Sequence, residues 1–148
     1  MKKPMIELHD PIVYPRKLWV ADKIEGLDKV FSFMKIADPY TESPTSYDSI
    51  LNDSRYIDSG MITIPVMRIS DGLYGVLVVA IDLKDITPDM IPHESVHVAD
   101  YIYSQLGIFS QDFTEGNEAY AYLVGWAASC ISKSISNFKK DLYDDIEQ

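Results

Sequence analysis

A single cysteine among 148 residues leaves this chain no internal disulfide, so its fold must stand on a buried core. That residue, Cys130, lies in an apolar helical run, where a buried and unreactive thiol is expected. Basic residues are scarce too: 13 Lys and Arg stand against 23 Asp and Glu, for a net charge of −10. Binding a phosphate backbone needs clustered Lys and Arg, so nucleic acid is excluded as a partner, and so is docking to an anionic membrane. No apolar run reaches the length of a membrane span, and none follows Lys2 and Lys3 as a secretory leader would require. The expectation is a soluble, cytoplasmic protein. A hydrophobic content of 47% with 24% charged residues is ordinary for one globular domain, here spanning 1–148.

Periodicity divides the chain into a strand-rich first part and a helical second part. Residues 12–21 read as a strand with basic residues on one side and Leu18 and Val20 on the other. Ile24, Leu27, Phe31 and Met34 recur at helical spacing and predict a helix near 23–36. Residues 37–60 are rich in turn signals, with Tyr40, Tyr47 and Tyr56 among them, and read as a mobile loop or a functional one. Residues 61–70 and 74–82 predict two strands joined by a turn at Asp71-Gly72. The second is apolar on both faces, as a central strand should be. The first carries Pro65, which cannot donate to a ladder, so residues 61–69 are expected at a sheet edge. Free backbone groups there could bond an extended peptide or protein substrate.

A helix is then expected to start with Thr87 as its cap and Pro88 at its first position, or at Pro92, and to end near Leu106 with Gly107 as C-terminal cap. A second, buried helix should cover 115–132, small along one side at Ala119, Ala121 and Gly125. Ile135, Phe138, Leu142 and Ile146 predict an amphipathic tail helix.

The chemistry concentrates at His93-Glu94-Ser95-Val96-His97, an HExxH sequence on the expected first helix. Residues i and i+4 project from one helix face, roughly 6 Å apart along the axis, so two imidazoles can converge on one Zn²⁺. Glu94 lies about 100° round the helix from His93, close enough to act on a water at the ion without displacing it. A catalytic zinc needs three protein ligands and an open position. The remaining histidine, His9, is expected to be exposed, and Asp100 lies about 10 Å along the axis from His93, better suited to a supporting role. Glu118, in the first turn of the next helix, can point at the ion if that helix folds back antiparallel; Glu115 is the fallback.

The segments HESVHVADYIYSQLG and GNEAYAYLVG together resemble the gluzincin metallopeptidases, in which HExxH on one helix is completed by a glutamate on the next, often within NEA. The likeness covers about 45 residues in detail, 88–132, and the chain is also similar in size and style to the very small zincin-like proteins of phages and prophages. It implies a minimal zincin: an α+β fold with a small, mostly antiparallel twisted sheet packed on the HExxH helix and a second buried helix. It further implies a zinc-dependent peptidase with His93, His97 and Glu118 as ligands and Glu94 as general base. The likeness breaks at Tyr122, where the thermolysin type has an aspartate that orients a zinc histidine, and no counterpart of the family's larger carboxy-terminal domain is expected. Tyr101, Tyr103, Tyr120 and Tyr122 lie near the motif as oxyanion candidates, each with a structural fate as the alternative. A binding or regulatory protein on the same scaffold, with no cleavage, is the competing expectation.

Overall fold

Short, largely apolar runs build the sheet and 3.6-residue periodicity builds the helices, giving an α+β architecture. The computed structural model describes residues 2–34, 56 and 58–147; most of the turn-rich 37–60 segment lies outside them. Among the described residues, β1 (Ile6–His9), β2 (Lys17–Ala21), β3 (Phe31–Phe33), β4 (Met61–Arg68) and β5 (Tyr74–Ala80) form one sheet in the order β1-β2-β5-β4-β3. Three of the four pairings are antiparallel, while β2 runs parallel to β5 with Lys17 opposite Gly75. Two long helices follow, α1 (Met90–Leu106) and α2 (Glu118–Glu147). No helix among the described residues is long and apolar enough to cross a membrane.

The sheet is buried on both faces, which is why β5 reads as a continuous apolar run. One face, with Leu18, Val20, Val76 and Val78, packs on Val98 and Ile102 of α1 and on Leu123, Ala127, Ile131 and Phe138 of α2. The other gathers Trp19, Ile62, Ile64, Val66, Leu77 and Val79 with Ile24, Leu27 and Phe31. α1 lies across β4 and β5, and α2 packs on α1 and β2. The polar outer side expected for the first strand is therefore a second core, and that strand begins only at Lys17.

Two elements differ from the sequence expectation. The described part of the expected helix, residues 23–34, forms no α-helix: Gly26 takes φ +87°, a short 3-10 turn follows at Leu27–Lys29, and Phe31–Phe33 becomes β3. Ile24, Leu27 and Phe31 are all buried, so their spacing reports inward-facing positions rather than a helix. The helices expected at 115–132 and in the tail are one continuous α2. It buries a single stripe, and Ala121, Tyr122, Gly125 and Ser129 face outward.

Pro92 is tolerated as the third residue of α1 because an amide there has no intrahelical acceptor. The cap is Asp89, not Thr87, whose hydroxyl donates to the Asp89 carboxylate. Gly107 closes the helix at φ +66°, as expected from its place after Leu106.

Candidate metal centre

α1 buries Glu94, Ser95, Val98, Ala99, Ile102 and Tyr103 against the sheet and leaves His93, His97 and Asp100 on its outer flank. That register follows from the apolar residues alone, and it sets both imidazoles at the border between α1 and β4. Their Nε2 atoms face each other at 3.2 Å, with ring centroids 4.9 Å apart and nearly perpendicular planes. Two nitrogen ligands on one tetrahedral zinc are separated by roughly 3.3–3.4 Å, given bonds of about 2.0–2.1 Å. The pair thus fits two corners of such a site. With the facing nitrogens unprotonated, two lone pairs meet at one point; otherwise one N–H is shared between them.

Glu94 points the other way round the helix and is 7% exposed. Its Oε2 accepts a short hydrogen bond from the Thr63 hydroxyl of β4, and its Oε1 lies 3.9 Å from His93 Nε2. Burial raises the carboxyl above its ordinary proton affinity, opposed by the Thr63 hydrogen bond and the two imidazoles. A carboxylate so placed can receive a proton from a molecule at the histidine pair and return it.

These side chains share a cavity of about 390 Å³ lined also by Tyr56, Ser59, Met61, Ile62, Asp100 and Tyr101. β4 forms its wall but is not the sheet edge expected for 61–69. The reason is β3, formed from the segment expected to be helical, which pairs with residues 66–68. In β4 the alternation of the ladder turns the backbone groups of Ile62, Ile64, Val66 and Arg68 toward β5 and those of Met61, Thr63, Pro65 and Met67 the other way. On that flank the Met61 carbonyl accepts from Ser59 Oγ at 2.8 Å and the Pro65 carbonyl from the Met34 amide at 2.9 Å. The missing donor of Pro65 therefore falls just beyond the end of β3 and leaves the β5 ladder whole.

The structure brings His93, His97 and Glu94 together and does not bring Glu118 to them. Glu118 is the exposed first residue of α2 and does not line the cavity. Tyr120, two positions on and about 200° round the helix, faces α1 instead, donating to Asp100 Oδ1 at 2.6 Å. Asn117 at φ +49° and Gly116 at φ +82° set that entry into the helix. Glu115 is exposed in the turn before it. Among the described residues, no three His, Cys, Asp or Glu side chains are grouped to hold an ion.

His9 is half-buried rather than exposed, with Nε2 2.7 Å from Ser134 Oγ, far from the motif in the fold. Cys130 is partly buried, and burial pushes its thiol up. Of the four tyrosines near the motif, Tyr101 alone lines the cavity. Tyr103 packs edge-on against Tyr120, Tyr122 is 77% exposed, and burial together with Asp100 raises the Tyr120 hydroxyl well above its usual range. Thr63 and Asp100 are the cavity residues that sequence reasoning undervalued. The signal for Thr63 was a lone hydroxyl in an otherwise aliphatic strand; for Asp100 it was the i, i+4, i+7 stripe it forms with His93 and His97. Set against models of protein families, curated proteins and solved structures, the chain matches none.

Proposed function

We propose that the protein is a zinc-dependent peptidase of minimal zincin type, acting at the cavity between α1 and β4. The observation that carries this is the facing of His93 and His97 Nε2 at 3.2 Å beside the buried Glu94 carboxylate. His93 and His97 would hold the ion, and Glu118 is the third ligand by resemblance, although it reaches the pair only if the turn at 116–118 is rearranged. Zinc at such a site polarises a carbonyl and lowers the pKa of water to about 7. Glu94 takes the proton of the attacking water and passes it to the departing amine, while Thr63 fixes the carboxylate rotamer by holding its other oxygen. Thr63 also directs its own backbone groups to the flank of β4 that borders the cavity, where an extended peptide could pair.

The exposed position of Glu118 favours a second reading, a zincin-like binding or regulatory protein that cleaves nothing. Metal analysis of protein refolded with zinc, followed by digestion of an unbiased peptide library, separates the two. For the enzyme, Glu94→Gln keeps zinc and lowers turnover by roughly 10²–10⁴-fold. Cleavage that stops on chelation yet is unchanged in Glu94→Gln would remove the base from the mechanism. Retained zinc with no cleavage of any peptide would favour the binding protein.

A further inference from the structure

We infer that Asp100 determines specificity at this cavity by accepting a cationic group of the ligand, an ammonium or guanidinium. The inference rests on the reading of His93 and His97 as a metal pair, because it concerns what is recognised next to them. Asp100 follows His97 by three residues, so its backbone lies about 4.5 Å farther along the α1 axis on the same face. It lines the cavity that holds the two histidines. The Tyr120 hydroxyl occupies one lone pair of Oδ1 at 2.6 Å and thereby fixes where the carboxylate points, at no change in its charge. Its remaining lone pairs are open to a ligand at the cavity mouth, since the residue is exposed.

Charge gives the sign. Among the described residues, the cavity lining contains two carboxylates and no Lys or Arg. Glu94 is buried and bonded to Thr63, whereas Asp100 has no Lys or Arg in ion-pair contact among the described residues. Of the other described polar lining residues, Ser59, Tyr56 and Tyr101 carry neutral groups. A ligand bound at the histidine pair therefore meets a fixed negative charge about one helical turn away, in a chain whose net charge of −10 also attracts cations. An anionic group at that position meets repulsion that no Lys or Arg of the described lining offsets.

Hydroxamates, which chelate zinc and carry a chosen side chain, test this without needing turnover. Dissociation constants are measured on the zinc-loaded full chain for Nα-acetyl-arginine, Nα-acetyl-norleucine and Nα-acetyl-glutamate hydroxamates, with free norleucine hydroxamate separating an α-ammonium from a side-chain cation. A cationic probe, by one arm or the other, should bind about fivefold more tightly than acetyl-norleucine, the upper range for a solvent-accessible ion pair. The preference should shrink in high salt. Asp100→Asn should abolish it and Asp100→Lys reverse it toward the glutamate probe, with zinc content unchanged in both. Zinc retention without any cationic preference overturns the inference and leaves the metal pair standing. Loss of zinc in Asp100→Asn makes the residue a ligand and overturns it as well. A wild-type chain that retains no zinc overturns the metal reading and this inference together. A clear preference with no peptide cleaved supports recognition by Asp100 and assigns the site to a binding protein.

Discussion

At the scale of single residues, a buried carboxylate needs partners, and for Glu94 the partner is Thr63. Thr63→Val keeps the shape and removes the hydroxyl, leaving Glu94 short of a hydrogen bond. The expected loss is about 1–3 kcal/mol of stability, read from denaturant midpoints; an unchanged midpoint would show that water replaces the hydroxyl. For the metal, wild-type protein refolded with zinc should retain one ion per chain, and the His93→Ala/His97→Ala pair none. Stoichiometric zinc in that double variant would place the ion elsewhere. Glu118→Gln should weaken retention with the fold intact and Glu115→Gln should not; the reverse order moves the third ligand to Glu115. His9 supplies a pH dependence of a different origin. Burial, with Lys133 assisting, holds His9 below its ordinary value of 6.5 against the opposing pull of Glu7. The folded chain then binds fewer protons than the unfolded one as pH falls past 6.5, so stability is lost on the acid side. Urea midpoints for His9→Gln should fall less steeply between about pH 7 and 5 than those of wild type; parallel curves would exclude His9 as the source. The two histidines and Glu94 were legible in the sequence because a helix fixes their relation through a four-residue spacing. Glu118 was not, because its direction is set by two left-handed residues, Gly116 and Asn117, whose conformations no periodicity encodes.

At the scale of elements, the close approach of β2 to β5 depends on Gly75. A Cβ there would lie 2.2 Å from the Lys17 carbonyl oxygen and 2.7 Å from the Trp19 ring, so Gly75→Ala must push the parallel strands apart. The expected cost is about 1–3 kcal/mol, the range for overpacking a filled interior. Gly125 is the opposite case, in the middle of α2 with nothing within 4 Å of its would-be Cβ. Gly125→Ala should therefore stabilise by about 0.5–1 kcal/mol. Thermal midpoints that move in the same direction for both variants would contradict this placement of the two glycines. The β4–β5 hairpin and the carboxy-terminal end of α1 were readable from Asp71-Gly72 and Gly107, each of which acts within a few residues. β3 was hidden because three buried residues in an irregular segment mimic a helix stripe, and the edge expected at 61–69 was lost with it.

At the scale of the whole molecule, the sheet joins an amino-terminal hairpin, β1–β2, to a second one, β4–β5, through the parallel pair of β2 and β5. Every contact of that pair links residues 58 positions apart, as in Lys17 with Gly75, whereas the hairpin β4–β5 closes through a short turn at Gly72. Loop closure must be made before distant contacts stabilise anything, so the order of assembly is written into the strand order. The β4–β5 hairpin with α1 against it is expected to form the folding nucleus, with β2 docking after the main barrier. Ile64→Val in β4 should then slow refolding, while Val20→Ala in β2 should act mainly by speeding unfolding. A chevron plot with the two effects exchanged would put β2 in the nucleus. By the same ordering, β5 exposes its apolar edge until the amino-terminal hairpin arrives, and this interval is when the chain is most open to pairing with a second unfolded copy.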